Sequence, residues 1–422
     1  MKKLLLTGLL ACILSGSTFA QWECPSQLAA YLKPAGSSNL YWSAELTGGA
    51  GYLSNNLLGN GMGLAGLDWS FGKSTFYVEG GIKYWNRYNL DALASTDNYH
   101  AGIRELFYQY KGKPATLTLG IHSARLDDDF LLNERILGGN LRFIQGKWSM
   151  NVLGGTVSKD FARNGTFCNV GYLYDILPGR QRSLIGTGLG QTNLAAITLK
   201  YKPHKTPGKV KAGSSKDEFS SSEFGESLDQ PAESNASSFK IESIGAVAYH
   251  EFGSWVSQSF VTGGLFAQTE WGKGWSFKPE ILFQSATSNK ALIYSLKFEK
   301  LFEGEKSRTS LNLRYLGKTN IDSGAKILNS FSNIFAGDVI RLDAIDLPFV
   351  QAGFKHSLTQ HKIHFKAQFA SQVNGSSMKE FDLEAGKKFG KNLLVNLLSG
   401  IVRSNLLSND ALMGRIEFRY YF

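Results

Sequence analysis

The amino-acid sequence predicts an all-β protein, a transmembrane antiparallel β-barrel of about 18 strands. Three features predict this fold class. The chain begins with a secretory signal, apolar residues recur at every second position in segments of about 9–11 residues, and the chain end is rich in alternating aromatic residues. Short turns also alternate with longer polar connections, which is typical of barrels that cross a membrane.

The first twenty residues carry the export signal. Two lysines at positions 2 and 3 precede an apolar stretch over Leu4–Ile13, and small residues follow up to Ala20. This order predicts a signal peptide that is cleaved after Ala20. A lipoprotein signal over 9–12 is a weaker alternative, because Leu10 is bulkier than the residue usually found at that position.

Composition and charge exclude several classes. Cleavage would lower the net charge from +10 to +8, and the excess is spread along the chain rather than gathered in basic runs. This excludes nucleic-acid binding and favours contact with anionic lipid headgroups or solutes. The longest apolar run, Leu393–Val402, is too short to span a membrane as a helix. Cys24 and Cys168, which remain after cleavage, could form one disulfide or stay free, and they exclude a small disulfide-stapled fold.

The strands are identified by their period of two. In Ser74–Trp85, Lys362–Ala370 and the last eight residues, apolar side chains alternate with polar ones. A soluble sandwich alternates as well. Segments long enough to cross a bilayer, and aromatic residues near strand ends, favour the membrane barrel.

The chain divides into a signal peptide (1–20), a periplasmic N-terminal segment (21–38) and a barrel (39–422) that contains a long polar loop over 203–238. Eighteen strands result when 255–271 is one strand, and they place the 203–238 loop on the periplasmic side. Twenty result when Thr262–Gly264 is a turn and Cys168–Ile176 is a strand. Strand length favours 18 over 20, and a count of 16 is the least favoured alternative.

The C-terminal stretch Gly414–Phe422 resembles the closing strand of Gram-negative outer-membrane barrels. This resemblance implies that Phe422 is an assembly signal read by the barrel assembly machinery. The stretch from Ile103 through Gly120 to Phe143 is similar to the early strands of alginate-export and related 18-stranded porins. It implies a porin-like barrel in the cell outer membrane. The arginine that follows the glycine in those families is replaced here by Ile121-His122, so alginate is not carried over.

The inward phase of the strands supplies candidate selectivity residues. Water in a wide barrel requires polar groups inside, and rows of both signs sort solutes by charge and size. The predicted lumen-facing residues are Glu79, Lys83, Arg104, Lys278, Glu280, Lys297, Glu299, Arg314, Lys355, Lys366, Glu380, Asp382, Glu384, Arg415, Glu417 and Arg419. We expect the loop over Arg125–Gly138 or that over Lys159–Gly190 to fold inward, with Asp127, Asp128 and Asp129 facing Arg104 across a constriction.

Catalytic, cofactor and metal sites are not expected. His122 and Ser123 are adjacent on a strand and so point to opposite faces, and His361 and His364 diverge in a turn followed by a strand. We therefore expect a non-enzymatic channel for passive or weakly selective diffusion of small hydrophilic solutes. Its partners would be outer-membrane lipid and these solutes, and both a monomer and a homo-oligomer remain open. The alternatives are a non-channel barrel that binds or exports surface polysaccharide and, third, an outer-membrane hydrolase.

Overall fold

The computed structural model describes residues 39–53, 56–89, 93–126, 131–158, 189–203, 239–254, 259–272, 274–287, 289–321, 327–328, 344–345, 348–373, 378–390, 392–404 and 410–422. Eighteen strands form one antiparallel sheet in which each strand pairs with the next along the chain. The last strand pairs with the first, from Glu45 opposite Tyr421 to Leu53 opposite Met413, and closes the barrel. Closure removes free sheet edges, which a membrane does not tolerate.

The first half of the wall consists of β1 (Leu40–Leu53), β2 (Asn56–Phe71), β3 (Ser74–Asn89), β4 (Ala94–Lys111), β5 (Ala115–Arg125), β6 (Asn133–Gln145), β7 (Trp148–Thr156), β8 (Asn193–Tyr201) and β9 (Lys240–Phe252). The second half consists of β10 (Phe260–Trp271), β11 (Trp275–Ala286), β12 (Asn289–Glu303), β13 (Ser307–Asn320), β16 (Phe349–Leu358), β17 (Ile363–Gln372), β18 (Met378–Phe389), β19 (Leu393–Ser404) and β20 (Ala411–Tyr421). Between β13 and β16, the two-residue strands β14 (Ile327–Leu328) and β15 (Ala344–Ile345) form a separate small hairpin.

The structure confirms the predicted 18 strands. Thr262–Gly264 lies inside β10, where it pairs with both β9 and β11, so the turn that would have given 20 strands does not form there. The stretch Cys168–Ile176 lies outside the described residues. The alternation of apolar residues predicts a strand over 64–71, but β2 already starts at Asn56. Gly59, Gly61 and Gly63 occupy its outward positions, so the apolar alternation is absent from its first half.

The two ends of the barrel differ. The turn end contains Leu40, Tyr421 and the tight turns after β2, β6 and β18, and the loop end lies opposite. Since Tyr201 ends β8 and Lys240 begins β9 at the turn end, the 203–238 connection leaves and re-enters the wall there. The described ends of this connection therefore lie at the same end as the tight turns, and the periplasmic location of that end stays a prediction.

The burial of side chains alternates along much of the wall. On β11, Ile281 and Phe283 are exposed on the outside, whereas Glu280, Leu282 and Gln284 face inward and are buried. Exposed aromatic side chains collect near the turn end in what we call the aromatic girdle, which consists of Trp42, Trp69, Phe71, Tyr110, Trp148, Trp271, Trp275, Phe302, Phe389 and Tyr420. Aromatic rings at one depth are typical of a membrane–water interface. In the described part of the chain, no helix is long and apolar enough to cross a membrane.

Candidate functional site: the barrel interior

The predicted lumen-facing residues occupy inward-facing positions of their strands. Most are buried, among them Glu79, Arg104, Glu380, Asp382 and Glu417, each at 1% exposure or less. Lys278, Lys297, Glu299, Lys355 and Lys366 are partly exposed at inward positions. The inner wall therefore carries positively and negatively charged side chains close to one another.

A β-bulge adds a charge that simple alternation does not predict. In the β3–β4 pairing, Glu79 is opposite Glu105 and Gly80 is opposite Ile103, so Arg104 is the extra residue. A bulge lets two consecutive side chains share one face. Arg104 and Glu105 are consequently both buried inside the barrel.

These residues form a buried ionic network, which we call the β4 anchor: Glu79, Arg104, Glu105, Ser123 and Arg135. Arg104 pairs with Glu79. Glu105 accepts hydrogen bonds from Arg135 Nε at 3.0 Å and from Ser123 Oγ at 2.8 Å. Arg135 and Ser123 belong to β6 and β5, so the anchor ties the β5–β6 hairpin to the inner surface of β4.

The β5–β6 hairpin leaves the wall at Gly120. Pairing between β4 and β5 runs from Lys111 opposite Thr116 to Leu106 opposite Ile121, whereas pairing between β5 and β6 continues to Arg125 opposite Asn133. Gly120 has φ +120°, and a Cβ there would lie 2.3 Å from the Leu106 carbonyl oxygen. Only glycine accommodates that conformation and that approach.

The described residues on either side of the hairpin's turn lie inside the barrel. A wall strand exposes every second side chain, but Leu131, Leu132, Glu134, Arg135 and Ile136 are all at 1% exposure or less. Arg135 contacts Glu105 of β4 as described, and the neighbouring Glu134 lies within electrostatic range of Tyr249 on β9. The hairpin therefore reaches from the β4 side of the interior toward β9.

An apolar belt packs against these described hairpin residues. It consists of inward-facing residues toward the loop end: Leu153, Leu194, Val247, Tyr249, Phe260, Leu282, Ile293, Leu316, Phe349, Ala370, Leu398, Val402, Ala411 and Met413. Leu126, Leu131, Leu132 and Ile136 of the hairpin belong to the same packed cluster. Glu380 and Asp382 of β18 interrupt the belt. Sequence reasoning missed the belt, although runs in which both faces are apolar, such as Ile281–Phe283, signal it.

Further along the wall, charged side chains pair along and between strands. Glu417 accepts from Arg419 Nε at 2.5 Å and also pairs with Arg415, so three successive inward positions of β20 form one ionic row. On β17 and β18, Glu384 contacts His364 Nε2 at 2.8 Å and Lys366 Nζ at 3.6 Å. Each of these contacts holds a positive group beside a negative one, so side chains of both charges line the inner wall.

The side chains of the two histidine motifs have separate contacts in the structure. His122 Nδ1 lies 3.0 Å from the carbonyl oxygen of Gly120, while its neighbour Ser123 donates to Glu105, so His122 and Ser123 do not pair. His361 is in an exposed turn, whereas His364 contacts Glu384. Within the described ranges, no group of three or more His, Cys, Asp or Glu side chains could hold a metal ion.

Other predicted residues are placed as follows. Phe422 is half exposed beside the seam, where its backbone N–H donates to the Ala44 carbonyl at 2.9 Å and its ring packs edge-on against Tyr420. Asp127, Asp128, Asp129, Cys24 and Cys168 lie outside the described residues.

Solved structures share this fold. No sequence-family model matches the chain, and no curated protein matches it by sequence. Pseudomonas aeruginosa OccK7 (OpdD) superposes with a TM-score of 0.54 at 10% identity, covering 91% of this chain and 98% of that chain. P. aeruginosa OccK5 (OpdH) gives 0.53 at 11% identity over 91% and 98%, and Acinetobacter baumannii OccAB4 gives 0.53 at 9% over 92% and 100%. The chain thus shares the fold of these three proteins over 91–92% of its length.

Proposed function

We propose that this protein is an outer-membrane channel for passive or weakly selective diffusion of small hydrophilic solutes. The observation that carries the proposal is the β5–β6 hairpin, which leaves the wall at Gly120 and lies inside a closed 18-strand barrel. An element folded into a barrel narrows it, and a narrowed barrel with charged walls selects solutes by size and charge.

The charges of the wall support weak rather than strong ion selectivity. Arginines and carboxylates alternate along β20 and pair between β17 and β18. Because opposite charges lie within hydrogen-bonding distance, much of their field is cancelled locally, and neither cations nor anions gain a continuous like-signed path. The three aspartates at 127–129 remain candidates for a local excess of negative charge.

The residues of the apolar belt are buried against the hairpin, so a solute would contact the charged wall rather than the belt. A small organic anion can interact with the partly exposed inward lysines of that wall, Lys278, Lys297, Lys355 and Lys366, whereas a neutral sugar gains no such attraction. A structural neighbour, P. aeruginosa OpdK, was crystallised with vanillate, at a TM-score of 0.52 and 9% identity over 91% of this chain and 98% of that chain. Vanillate is therefore a suitable probe solute for this chain.

The test is liposome swelling with the purified full-length protein. Proteoliposomes should swell in isotonic pentose and hexose, and more slowly as the sugar grows, while protein-free liposomes do not. Vanillate should enter faster than a sugar of similar mass. Absence of swelling with every solute, from protein shown to be folded by heat-shifted electrophoresis, would refute the channel.

The alternative barrel that binds or exports surface polysaccharide predicts a different result: glycan binding at the loop end without swelling. A hydrolase would require a nucleophile and a base in contact. His122 and Ser123 provide no such contact.

A further inference from the structure

Exposed lysines form a ring at the turn end. We call it the lysine collar, and it consists of Lys73, Lys111, Lys113, Lys147, Lys202, Lys240, Lys306, Lys362 and Lys387. These lysines occur in or beside seven of the eight connections at this end, and the exposed acids described there are Glu303 and Glu305. The collar is therefore strongly positive around most of the circumference.

The collar lies at the depth of the aromatic girdle. Lys147 Nζ is 6.0 Å from the centre of the Tyr201 ring, and Lys387 Nζ is 5.1 Å from that of Phe389. Lys300, just inside the collar, lies 4.9 Å from both the Trp275 and the Phe302 rings. Aromatic girdles mark the boundary between acyl chains and headgroups, so these ammonium groups are at the height of lipid phosphates.

We infer that the lysine collar binds anionic phospholipid headgroups in the leaflet that contacts the turn end. A basic cluster beside a membrane surface attracts lipids with a net negative charge, whereas zwitterionic lipids offset the phosphate with their own cation. At Lys147 and Lys387 an aromatic ring packs beside the ammonium group, which favours a position of the lysine head at the membrane–water boundary. The inference rests on the barrel spanning a membrane and not on its being an open channel.

The chain contains its own reporters for a test. Trp42, Trp69, Trp148, Trp271 and Trp275 are exposed in the girdle, five of the eight tryptophans in the sequence. Brominated lipids quench tryptophan fluorescence on contact. The protein is reconstituted in mixtures of brominated and plain phosphatidylglycerol with phosphatidylcholine, and the ratio of association constants for the two headgroups is obtained from the quenching.

We expect the ratio to favour phosphatidylglycerol by about fivefold at low salt, the effect of roughly one lysine contact per lipid, and to approach one at high salt. Substitution of five collar lysines by glutamine (K73Q, K111Q, K147Q, K306Q and K387Q) should bring the ratio close to one. Arginine at the same five positions should preserve the preference. The matched control is K290Q with K379Q, exposed lysines toward the loop end, and it should leave the ratio unchanged.

A ratio of one for the wild-type chain at low salt would overturn the inference, as would a preference that persists in the glutamine variant. A third outcome would also overturn it: no lipid preference, but lysine-dependent sedimentation with purified peptidoglycan, which would assign the collar to the cell wall instead. A non-conducting protein that retains the phosphatidylglycerol preference would contradict the proposed channel and leave the collar intact.

Discussion

Removing Arg135 should release the β5–β6 hairpin from the β4 anchor. Arg135 and Glu105 are both at 0% exposure with Nε and Oε1 3.0 Å apart, so solvent does not screen the pair. Loss of one partner of a buried ion pair costs about 3–5 kcal/mol, because the other charge is left in a poor environment. Glu105 keeps its hydrogen bond from Ser123 and lies near Arg104, so we take the lower value, about 3 kcal/mol, for Arg135→Met.

If the barrel wall stays intact, this loss of about 3 kcal/mol destabilises only the state in which the hairpin lies against β4. Since about 1.4 kcal/mol changes an equilibrium tenfold, the displaced hairpin should become about 100 times more populated. Single-channel recordings in planar bilayers measure this as the fraction of time in a level of higher conductance. Arg135→Lys, which keeps the charge, should lie between wild type and Arg135→Met. The double variant Glu105→Gln with Arg135→Met should recover part of the loss, because neither charge is then left alone.

The control is Arg308→Met. Arg308 pairs with Glu303 at 3.5 Å, but both side chains are more than 40% exposed, and exposed pairs contribute little. Traces of Arg135→Met indistinguishable from wild type, from protein that still shows the heat-shifted mobility of a folded barrel, would refute the role assigned to the anchor.

Three other predictions concern separate parts of the chain. Replacing Asp127, Asp128 and Asp129 together by asparagine should shift ion preference toward anions; an unchanged reversal potential in a salt gradient would contradict a constriction role for them. Gly120→Ala should sharply reduce the yield of folded barrel, because its Cβ would approach the Leu106 oxygen at 2.3 Å in a backbone conformation with φ +120°, whereas Gly59→Ala, with nothing within 4 Å, should fold as wild type. Phe422→Ala should slow assembly in proteoliposomes that contain the barrel assembly machinery but leave unassisted refolding in detergent unchanged; equal loss in both would mean that Phe422 acts through stability alone.

The number of strands and the choice of inward-facing positions could be predicted from the sequence. Apolar residues at every second position mark the side chains that contact lipid. On β11, Ile281 and Phe283 face outward, and Glu280 and Gln284 face inward. The opposite orientation of this strand would place Glu280 against lipid. Where outward side chains are absent, as at Gly59, Gly61 and Gly63, the pattern is lost and β2 was predicted too short.

The inward path of the β5–β6 hairpin could be predicted only in part. A loop over Arg125–Gly138 that folds inward was one of two candidates, and the described flanks of that loop do lie inside, but the departure already begins at Gly120 within a strand. The bulge at Arg104 places two consecutive side chains on the inner face, and Glu105 was therefore missing from the predicted lumen-facing residues. A bulge, or the point at which a strand leaves the wall, depends on contacts between distant segments, such as that of Arg135 with Glu105. The alternation within one strand carries no information about such contacts.

The apolar belt was missed for a related reason. An inward apolar residue is expected to be disfavoured in a water-filled lumen, but the belt is covered in part by Leu131, Leu132 and Ile136 of the hairpin. Only the path of the hairpin explains why Leu282, Leu316 and Met413 can face inward at 5% exposure or less.

The most direct measurement of the central claim compares the steady conductance of the full-length protein with that of a chain in which residues 126–132 are replaced by an Asn-Gly turn. If the barrel is an open channel narrowed by the β5–β6 hairpin, the wild-type protein conducts in discrete, stable steps and the shortened chain conducts in larger ones. Equal conductance in both would show that the hairpin does not narrow the path. No conductance in either, from folded protein, would contradict the channel itself.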